Sequence, residues 1–586
     1  MQQWFVMNKG ADFKSIGLKY GIDQVTARII RNRDIVEDED IRLFLQGDLS
    51  DCHNPALMKD GDKLTDILIK KINEGASIRI VGDYDIDGVM ATFILKKALD
   101  ELGANVSYVI PDRISDGYGL NVRIIDDAYG DGIDTILTCD NGIAAIQEIS
   151  HAKELGMCVL VTDHHEIPFE EINGEKKYIL SDADAIVDPH QKDCNYPYKN
   201  LCGAAVAWKM MCLLFKKLGK QTGILDEMLE NVAFATVGDI MDLNGENRIL
   251  VKEGLKRIHN TKNIGMRALI TQCGLMAEQV ESYHFGYVLG PCINASGRLD
   301  TATRALQMLL EEDENTASLI ASELCVLNEE RKELTKAGVD EAIRQYEECG
   351  YKDDTVVVIY LPEVHESIAG IIAGRVREYC HKPVFILTKS GDKVKGSGRS
   401  IEEYSMYEEM CKVKDVFFKF GGHPMAAGLS LEADRVDEFR RRINENSTLT
   451  EQDLMEKVKI DVPMPVSYVT KELVREFEIL APFGKGNPKP VFADKNMYIS
   501  RMWIIGKNQN VLRLSMVSAD GKPVSAIYFG DIDTFVGYLS EKFSSEDVDL
   551  AMRGRQNRLV ISVVYAPRIN SFRDEENLQF EIQFYQ

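Results

Sequence analysis

The chain has 586 residues, 45% of them hydrophobic and 28% charged, and a formal net charge of -24. This composition is typical of a globular protein, and the length exceeds what one hydrophobic core organises, so three or four domains are expected. The sequence contains no apolar stretch long enough to span a bilayer and no signal-peptide pattern at its start. The twelve cysteines include no Cys-x-x-Cys pair, which favours reduced thiols over disulfides or a zinc site. We therefore expect a cytoplasmic protein without a membrane partner.

The negative net charge is weak evidence against a nucleic-acid partner. Binding to a polyanion depends on a local basic patch, whereas net charge governs solubility and non-specific association. An acidic metal site would also add carboxylates that bound cations neutralise. Nucleic acid therefore remains an acceptable substrate class.

The first part of the chain predicts a parallel α/β domain. Strands are predicted at Ser77–Val81, 106–110, 135–138 and 157–162, and helices at 89–102 and 144–155. Strands that alternate with helices of this length form parallel sheets, in which ligands gather at the carboxyl ends of the strands.

Three further regions follow. Residues 311–347 are rich in charge, with apolar residues three or four positions apart, which predicts a long helix between two lobes. Predicted strands at 355–360 and 384–388 indicate a second α/β domain. After about residue 452, short alternating strands predict a small all-β barrel or sandwich, and the polar run at 444–448 marks the boundary.

An acidic cluster follows the first predicted strand. Asp83, Asp85 and Asp87 alternate along the chain before Gly88, which permits the turn into the next helix. Alternation places Asp83 and Asp85 on one side of an extended segment, where both can bind a hard cation. The turn makes the same placement doubtful for Asp87. A helix N-cap within a solvated acidic loop explains the cluster about equally well when it is considered alone.

Other polar groups end the following apolar elements. Asp140 begins an Asp-Asn-Gly sequence, which is also a strong turn former. His164 and His165 follow Asp163, a carboxylate suited to holding the second nitrogen of an imidazole. Asp239 lies in an apolar helical stretch, where a carboxylate is costly unless it is paired or metal-bound. Together these groups favour a site for two divalent cations over a set of coincidental turns.

Two divalent cations about 3.5–4 Å apart would activate water, neutralise the non-bridging oxygens of a phosphodiester and stabilise the leaving alkoxide. The sequence contains no Ser/His/Asp triad, reactive-cysteine motif or Walker-type loop that competes for a catalytic role. A metal-dependent phosphoesterase is the predicted enzyme class.

The Asp163-His164-His165 sequence resembles the motif that names the DHH phosphoesterase superfamily. Within that superfamily the chain resembles the RecJ family of bacterial single-strand-specific exonucleases, in motifs that follow one another in order over nearly its whole length. These motifs are found at residues 82–88, 111–113, 117–121, 245–248, 293–299, 365–370, 396–400, 421–424 and 481–488.

The resemblance implies the fold class and the domains. Two α/β domains, a parallel-sheet DHH domain and a DHH-associated domain, are joined by a long helix and followed by an all-β OB-fold. The corresponding ranges are 1–310 for the DHH domain with an N-terminal extension, 311–350 for the helix, 351–446 for the DHH-associated substrate-binding domain and 452–586 for the OB-fold.

The resemblance also implies activity and ligands. It implies processive hydrolysis of single-stranded DNA from the 5′ end in recombination and repair, with two Mn2+ or Mg2+ ions. The implied metal and catalytic residues are Asp83, Asp85, Asp140, His164 and Asp239, with His165 close to the metals. A single-strand-binding protein or a helicase is the expected protein partner, and the expected state is a monomer.

The implied substrate-binding residues are Arg298, His365, Ser367, Arg399, Gly421, Gly422 and His423. Glycines let backbone N–H groups approach a phosphate, and arginine grips phosphate through two hydrogen bonds. Tight turns and surface ion pairs are the alternatives for these residue types. In the terminal domain, Trp503, Tyr528 and Phe529 are candidates for base stacking next to the basic run 553–558, although most strand aromatics belong to a core.

The chain departs from the family at two positions. Many DHH enzymes carry His four residues before the first motif Asp, where this chain has Arg79. RecJ relatives often carry Arg at the position of Cys292, so one arginine of the substrate path is expected to be absent or replaced by Arg298.

Two rival functions share the same motifs. One is hydrolysis of short oligonucleotides, cyclic dinucleotides or pyrophosphate, which the β-rich C-terminal segment argues against. The other is a catalytically inactive DNA-binding module, which the complete set of metal-ligand positions argues against.

Overall fold

The computed structural model describes residues 2–172, 175–506, 508–572 and 575–586, which form two compact units. The larger unit contains His53–Met241 and Leu250–Glu456. The smaller unit contains Gln2–Cys52, Asp242–Ile249 and Lys457–Gln586. Within the described ranges, none of the helices is both long and apolar enough to cross a membrane.

The N-terminal region is mainly helical. Its elements are β1 (Gln2–Val6), α1 (Phe13–Tyr20), α2 (Gln24–Asn32), α3 (Asp38–Gln46) and α4 (Gly61–Asn73). Asp12 and Asp23 cap α1 and α2, because their side chains accept hydrogen bonds from the first backbone N–H groups.

A five-stranded parallel sheet follows, and it confirms the predicted α/β fold class. Its strands lie in the order β3-β2-β4-β5-β8, with β2, β4 and β5 at the centre. The hairpin β6-β7 and strand β8 were not predicted. The elements of this region are β2 (Ser77–Val81), α5 (Ile86–Glu101), β3 (Asn105–Val109), α6 (Val122–Gly130), β4 (Thr135–Cys139), α7 (Ile146–Glu154), β5 (Cys158–Thr162), β6 (Phe169–Ile172), β7 (Glu175–Tyr178) and β8 (Ala185–Val187).

A helical layer packs against this sheet. Helices α5, α8 and α10 are apolar on nearly all sides and are therefore buried together. The helices that follow the sheet in the chain are α8 (Gly203–Lys217), α9 (Gly223–Glu227), α10 (Leu229–Gly238), α11 (Gly245–Ile258), α12 (Ile264–Gln272), α13 (Ser282–His284), α14 (Gly290–Leu299) and α15 (Thr303–Leu310).

The predicted long helix is α16 (Glu314–Glu348), and its 35 residues rise about 52 Å at about 1.5 Å per residue. Beyond it lies a second five-stranded sheet in the order β12-β13-β11-β10-β9, in which only the β9–β10 pair is parallel. Its elements are β9 (Val357–Tyr360), α17 (Ala369–Cys380), β10 (Val384–Ser390), β11 (Lys393–Arg399), α18 (Met406–Cys411), β12 (Lys419–His423), β13 (Ala426–Leu431) and α19 (Val436–Glu445).

The smaller unit contains a closed five-stranded barrel in the order β15-β16-β17-β19-β18. The predicted all-β domain is therefore confirmed as a barrel, although two helices, α21 and α22, separate its third and fourth strands. The elements are β14 (Glu456–Ile460), α20 (Lys471–Glu476), β15 (Phe492–Ile505), β16 (Val511–Val517), β17 (Pro523–Tyr528), α21 (Ile532–Lys542), α22 (Ser545–Met552), β18 (Val560–Phe572) and β19 (Glu575–Tyr585).

The segment Gln2–Cys52 belongs to the barrel unit, whereas the family resemblance implied that it extends the domain at 1–310. Strand β1 pairs with β14, and α2 and α3 bury Ile29, Ile30 and Phe44 in the hydrophobic core of the barrel. Arg33 also forms an ion pair with Asp461 at 2.5 Å. The burial of these apolar side chains, rather than chain order, decides where the segment folds.

Arg248 organises part of the smaller unit from a buried position. It is 1% exposed, and its guanidinium lies 3.8 Å from the centre of the Phe44 ring. It donates hydrogen bonds to the backbone carbonyls of Phe44 (2.8 Å), Ile479 (3.0 Å), Leu480 (2.8 Å) and Ala481 (2.8 Å). A single side chain thus satisfies carbonyl groups from two distant segments of the chain.

Glu230 of α10 gives the larger unit a testable pH dependence. It is 4% exposed and accepts a hydrogen bond from Thr261 at 2.6 Å, and burial raises its pKa to about 7. Because the folded pKa exceeds the unfolded value, the folded state prefers the neutral carboxyl. The stability gained from the neutral carboxyl is complete below the unfolded pKa, and it is lost as the pH rises through the folded pKa of about 7.

We expect Glu230→Gln to raise the free energy of unfolding at pH 8 by about 2–3 kcal/mol and to have little effect at pH 4.5. Denaturant unfolding followed by Trp208 fluorescence, with Trp4 and Trp503 replaced by Phe, isolates the larger unit. Glu227→Gln is the matched control, since Glu227 is half-exposed and pairs with Lys262. Equal stability of the variant and the parent at pH 8 would contradict the assignment.

Candidate metal centre and substrate cavity

The carboxyl ends of three adjacent strands bring the predicted groups together. Asp83 follows β2, Asp140 follows β4, and Asp163 follows β5, and these strands are neighbours in the sheet. The oxygens of Asp83, Asp85 and Asp140 lie within 4.8 Å of one another. A parallel sheet therefore gathers at one edge carboxylates that are far apart in sequence.

The first motif forms a tight connection between β2 and α5. Asp85 is the N-cap of α5, and its Oδ1 accepts hydrogen bonds from the N–H groups of Asp87 (3.0 Å) and Gly88 (3.2 Å). A Cβ at Gly88 would lie 2.4 Å from the carbonyl oxygen of Asp83. Glycine is therefore required by the close approach of the backbone, and the motif is at once a helix cap and a carboxylate cluster.

His164 lies at the centre of the cluster. Its Nε2 is 3.0 Å from Asp140 Oδ1, 3.5 Å from Asp87 Oδ2 and 3.8 Å from Asp239 Oδ2. Burial lowers the pKa of His164, which favours the neutral imidazole that binds metals.

Burial and mutual repulsion raise the pKa values of Asp83 and Asp140 well above the usual range. Asp83 Oδ1 is also buried without a hydrogen-bond partner among the described residues. A buried carboxylate oxygen without a partner is costly, and a cation at this position would remove the cost. The donor set of oxygens and imidazole nitrogen therefore fits Mn2+ or Mg2+.

Asp163 and His165 form a hydrogen-bonded pair beside the cluster. His165 Nδ1 is 2.7 Å from Asp163 Oδ1 and 4.0 Å from Asp140 Oδ1. Burial lowers the pKa of His165, but the hydrogen bond to Asp163 and nearby carboxylates raise it overall, to about 9. The Tyr118 hydroxyl, 3.2 Å from His165 Nδ1, donates a hydrogen bond to the carbonyl of Asp140 (2.8 Å).

Asp87, which the turn at Gly88 left doubtful as a ligand, lies beside the cluster. Its carboxylate is fully buried next to His164, and its oxygens accept hydrogen bonds from the N–H groups of Gly203 (2.6 Å) and Ala204 (2.8 Å). These donors begin α8, so Asp87 fastens the first motif to that helix. Alternation along an extended chain does not explain the inward position of Asp87, because this residue lies in the first turn of α5.

A cavity of about 520 Å3 adjoins the first motif within the larger unit. Of the predicted substrate-binding residues, Ser367 and Gly421 line it, together with the basic residues Arg113, Lys395 and Lys419. The Arg113 guanidinium lies 4.6 Å from the centre of the Tyr84 ring, which also lines the cavity. Arg113 lies in the family motif at residues 111–113 but is not among the substrate-binding residues that the resemblance implies.

Two of the predicted substrate-binding residues, Arg298 and Arg399, lie close enough to Arg113 for their guanidinium groups to repel it. Arg298 donates a hydrogen bond to the carbonyl of Ser367 (2.5 Å), and burial, followed by repulsion from Arg113 and Arg331, lowers its pKa to about 10. Burial, followed by repulsion from Arg377 and Arg113, also lowers the pKa of Arg399. Converging guanidinium groups favour a bound anion.

The remaining predicted substrate residues lie on the second lobe of the unit. His365 Nδ1 is 2.7 Å from Ser367 Oγ, in a short helical turn. Gly421, Gly422 and His423 are exposed on β12, the edge strand of the sheet. A Cβ at Gly422, where φ is 150°, would lie 2.4 Å from the Ala426 carbonyl oxygen, so the close approach of β12 to β13 requires glycine here.

The two departures from the family pattern have different surroundings. Arg79 donates hydrogen bonds to Ser107 (2.7 Å) and Asp131 (3.1 Å), so its guanidinium is engaged at the β3 side of the sheet. Cys292 is 2% exposed on α14, with its Sγ 3.8 Å from that of Cys273.

The barrel aromatics separate into core and surface. Tyr528 is 8% exposed in the hydrophobic core, edge-on to Tyr585, so the suggestion that it stacks on bases is corrected. Phe529 is 53% exposed, and the Trp503 ring is flanked by Arg501 and Arg513 at 5.2 and 5.5 Å.

Three family models match the chain. They are "DHH family, N-terminal domain" at residues 77–236, "DHHA1 domain" at 353–447 and "RecJ OB domain" at 460–583. They cover the parallel sheet, the mixed sheet and the barrel.

Curated relatives match over most of the chain. The single-stranded-DNA-specific exonuclease RecJ of Escherichia coli is 33% identical over 89% of this chain and 89% of its own length. The enzyme of the same name from Bacillus subtilis is 34% identical over 88% of this chain, which spans 64% of that relative's length.

Solved structures agree with the fold. RecJ of Thermus thermophilus in complex with Mn2+ matches with a TM-score of 0.81 at 24% identity, over all of this chain and 79% of that one. A crystal structure of exonuclease RecJ bound to manganese matches with a TM-score of 0.58 at 30% identity, over 68% of this chain and 96% of that one. The chain belongs to the RecJ family of single-stranded-DNA-specific exonucleases.

Proposed function

We propose that this protein hydrolyses single-stranded DNA from the 5′ end, in a reaction that depends on two Mn2+ or Mg2+ ions and serves recombination and repair. The observation that carries the proposal is the convergence of the carboxylate oxygens of Asp83, Asp85 and Asp140. Asp83 Oδ1 is buried and lacks a hydrogen-bond partner among the described residues. Relatives named as single-stranded-DNA-specific exonucleases, and RecJ crystal structures that hold Mn2+ or Mg2+, support it.

The metal ligands in this proposal are Asp83, Asp85, Asp140, His164 and Asp239, with His165 beside them. Bound cations would supply charge neutralisation and activation of water. Asp163 orients His165 through its short hydrogen bond, and Asp87 positions the first motif against α8. Neutral His164 leaves its Nε2 free to bind a cation, in agreement with the direction of its pKa.

The substrate phosphates are assigned to the basic groups of the larger unit. Arg298 and Arg399 would bind phosphate oxygens, and Gly421, Gly422 and His423 would present backbone N–H groups and an imidazole. His365 would orient Ser367 at the cavity. Arg113 joins this set because it lines the cavity and repels both other arginines.

The domain roles and cellular setting complete the proposal. The predicted range 1–310, without the segments 2–52 and 242–249 that belong to the smaller unit, would carry the catalytic domain. Residues 351–446 would form the substrate-binding domain, and 452–586 a domain that binds single strands through Trp503 and Phe529. We assign a monomer acting in the cytoplasm, where twelve free cysteines suit a reducing compartment. A single-strand-binding protein or a helicase would supply the single strand.

A digestion of 5′-labelled and 3′-labelled single strands and of duplex, with Mn2+ or with EDTA, tests the proposal. We expect mononucleotide release from the 5′ end of the single strand with Mn2+, and none with EDTA. Consumption of a dinucleotide but not of a long strand would favour the rival substrate class. Tight single-strand binding without hydrolysis in Mn2+ would favour the inactive binding module.

We also expect single-strand binding to weaken with salt, because lysine and arginine contacts release counterions. Lys419→Ala should reduce the slope of log Kd against log salt by about 0.7, the value for one phosphate contact on a single strand. Lys63→Ala, in α4 and outside the cavity lining, is the matched control. Fluorescence anisotropy with EDTA present measures both, and a salt-independent Kd would contradict a basic binding path.

A further inference from the structure

Three cysteines that are far apart in sequence meet between three helices of the larger unit. Cys273 ends α12, Cys292 lies in α14, and Cys325 lies in α16. The Sγ of Cys273 is 3.8 Å from each of the other two sulphurs, and all three lie within 4.8 Å of one another. Cys292 is buried, and the other two are partly exposed.

These spacings match those of sulphurs that share one ion. Two thiolates bound at about 2.3 Å to a tetrahedral ion lie about 3.8 Å apart. The sulphurs of a disulfide are only about 2 Å apart, so the three thiols are separated as ligands rather than as partners in a bond. Thiols that merely touch also reach this separation, so the surroundings of the cluster decide between the two.

Polar and cationic groups surround the three sulphurs. Asn328 is 4% exposed and donates its amide N–H to Cys292 Sγ at 3.4 Å, while its own Oδ1 lacks a partner among the described residues. Two cationic residues follow in α16. Lys332 interacts electrostatically with Cys273 and Cys325, and Arg331 interacts electrostatically with Cys292. Arg331 Nε is buried and likewise lacks a hydrogen-bond partner in the described part of the chain.

We propose that Cys273, Cys292 and Cys325 form a three-thiolate site for a thiophilic divalent ion such as Zn2+ or Cd2+, with water as the fourth ligand. The ion would displace the protons of those thiols that remain protonated. Arg331 and Lys332 offset the net negative charge of an ion bound by three thiolates. The site differs in chemistry from the carboxylate and imidazole cluster, because soft sulphur ligands select against Mn2+ and Mg2+.

An ion at this position would join α12, α14 and α16. Helix α14 also carries Asn294, whose Oδ1 accepts a hydrogen bond from Ile86 N–H (2.9 Å), directly after Asp85. The same helix carries Arg298. The site would therefore stabilise the helix that supports the first carboxylate motif.

The test is a Cd2+ titration of the full-length reduced protein, in which thiolate-to-cadmium charge transfer is followed in the ultraviolet. An Asp140→Asn background weakens competition from the carboxylate centre, whose ligands produce no such band. We expect one equivalent of Cd2+ to develop the band and Zn2+ to compete for it. Cys273→Ser and Cys325→Ser should each weaken Cd2+ binding by about a hundredfold or more. Cys349→Ser, which alters an exposed thiol, should leave binding unchanged.

The thermal midpoint and far-ultraviolet circular dichroism of each variant establish that it is folded. A second measurement needs no variant, because bound Zn2+ should slow alkylation of the three thiols relative to Cys349, as read by mass spectrometry. Absence of the band at one equivalent, its persistence in both serine variants or unchanged alkylation with Zn2+ would each overturn the proposal. A disulfide between two of the three cysteines in the untreated protein, located by peptide mapping, would also overturn it.

Discussion

Replacing Asp140 by Asn is expected to lower Mn2+-dependent hydrolysis by at least about a thousandfold while stabilising the protein in the absence of divalent ions. The carboxylate lies 3.0 Å from His164 and is buried among other carboxylates, which raises its pKa. Asparagine keeps the size of the side chain and removes its charge. Asparagine also adopts the backbone conformation at this position, where φ is 60°, more readily than alanine would.

The two readouts separate a metal ligand from a structural residue. If Asp140 is a metal ligand, the variant should lose activity, and its free energy of unfolding in EDTA should rise by about 1–3 kcal/mol, as expected for removal of a buried carboxylate with a raised pKa. If Asp140 is needed only for folding, the variant should lose both activity and stability. Turnover with Mn2+ and the thermal midpoint in EDTA are the measurements, and Asp126→Asn, at a half-exposed carboxylate beside His151, is the control. Unchanged turnover in Asp140→Asn would refute the metal assignment.

Replacing Arg248 by Met is expected to destabilise the smaller unit by about 4 kcal/mol or more, because several buried carbonyl groups lose a charged donor at once. The side chain bonds to carbonyls near Phe44 and across Ile479–Ala481, which a methionine of similar length leaves unsatisfied. Arg248→Lys should destabilise the smaller unit less than Arg248→Met does, since the lysine ammonium keeps three of the five hydrogen-bond donors.

Denaturant unfolding followed by Trp4 and Trp503 fluorescence, with Trp208 replaced by Phe, reports on this unit. Arg475→Met is the control, because Arg475 pairs with Glu576 on the surface and its loss should cost less than about 1 kcal/mol. An equal effect of the two substitutions would mean that the buried hydrogen bonds contribute nothing beyond a surface ion pair.

Much of the fold could be predicted from local patterns. Alternating strands and helices predicted the parallel sheet, and the spacing of Ile320 and Leu324 predicted α16, because both side chains face a core. The β-rich end of the chain predicted a barrel or a sandwich, and the structure has the barrel. Hydrophobic periodicity is a property of neighbouring residues, so it survives without knowledge of the tertiary structure.

Contacts between distant residues could not be predicted in this way. The carboxylate of Asp87 is held by Gly203 and Ala204, more than a hundred positions later. The same limit applies to Cys273, Cys292 and Cys325, whose spacing in sequence resembles no metal motif. Tyr528 fits a stacking residue and a core residue equally well until its burial is known.

The chemical class of the metal centre follows from the sequence alone, because Asp83, Asp140 and His164 each follow an apolar strand and parallel strands end at one edge of a sheet. How each group is held depends on contacts that form only in the folded chain. Burial and neighbouring charges move the pKa values of Asp140 and His164, backbone donors of α8 hold Asp87, and apolar side chains of α2 and α3 place the N-terminal segment in the barrel core. These are interactions through space between remote residues, and no local pattern encodes them.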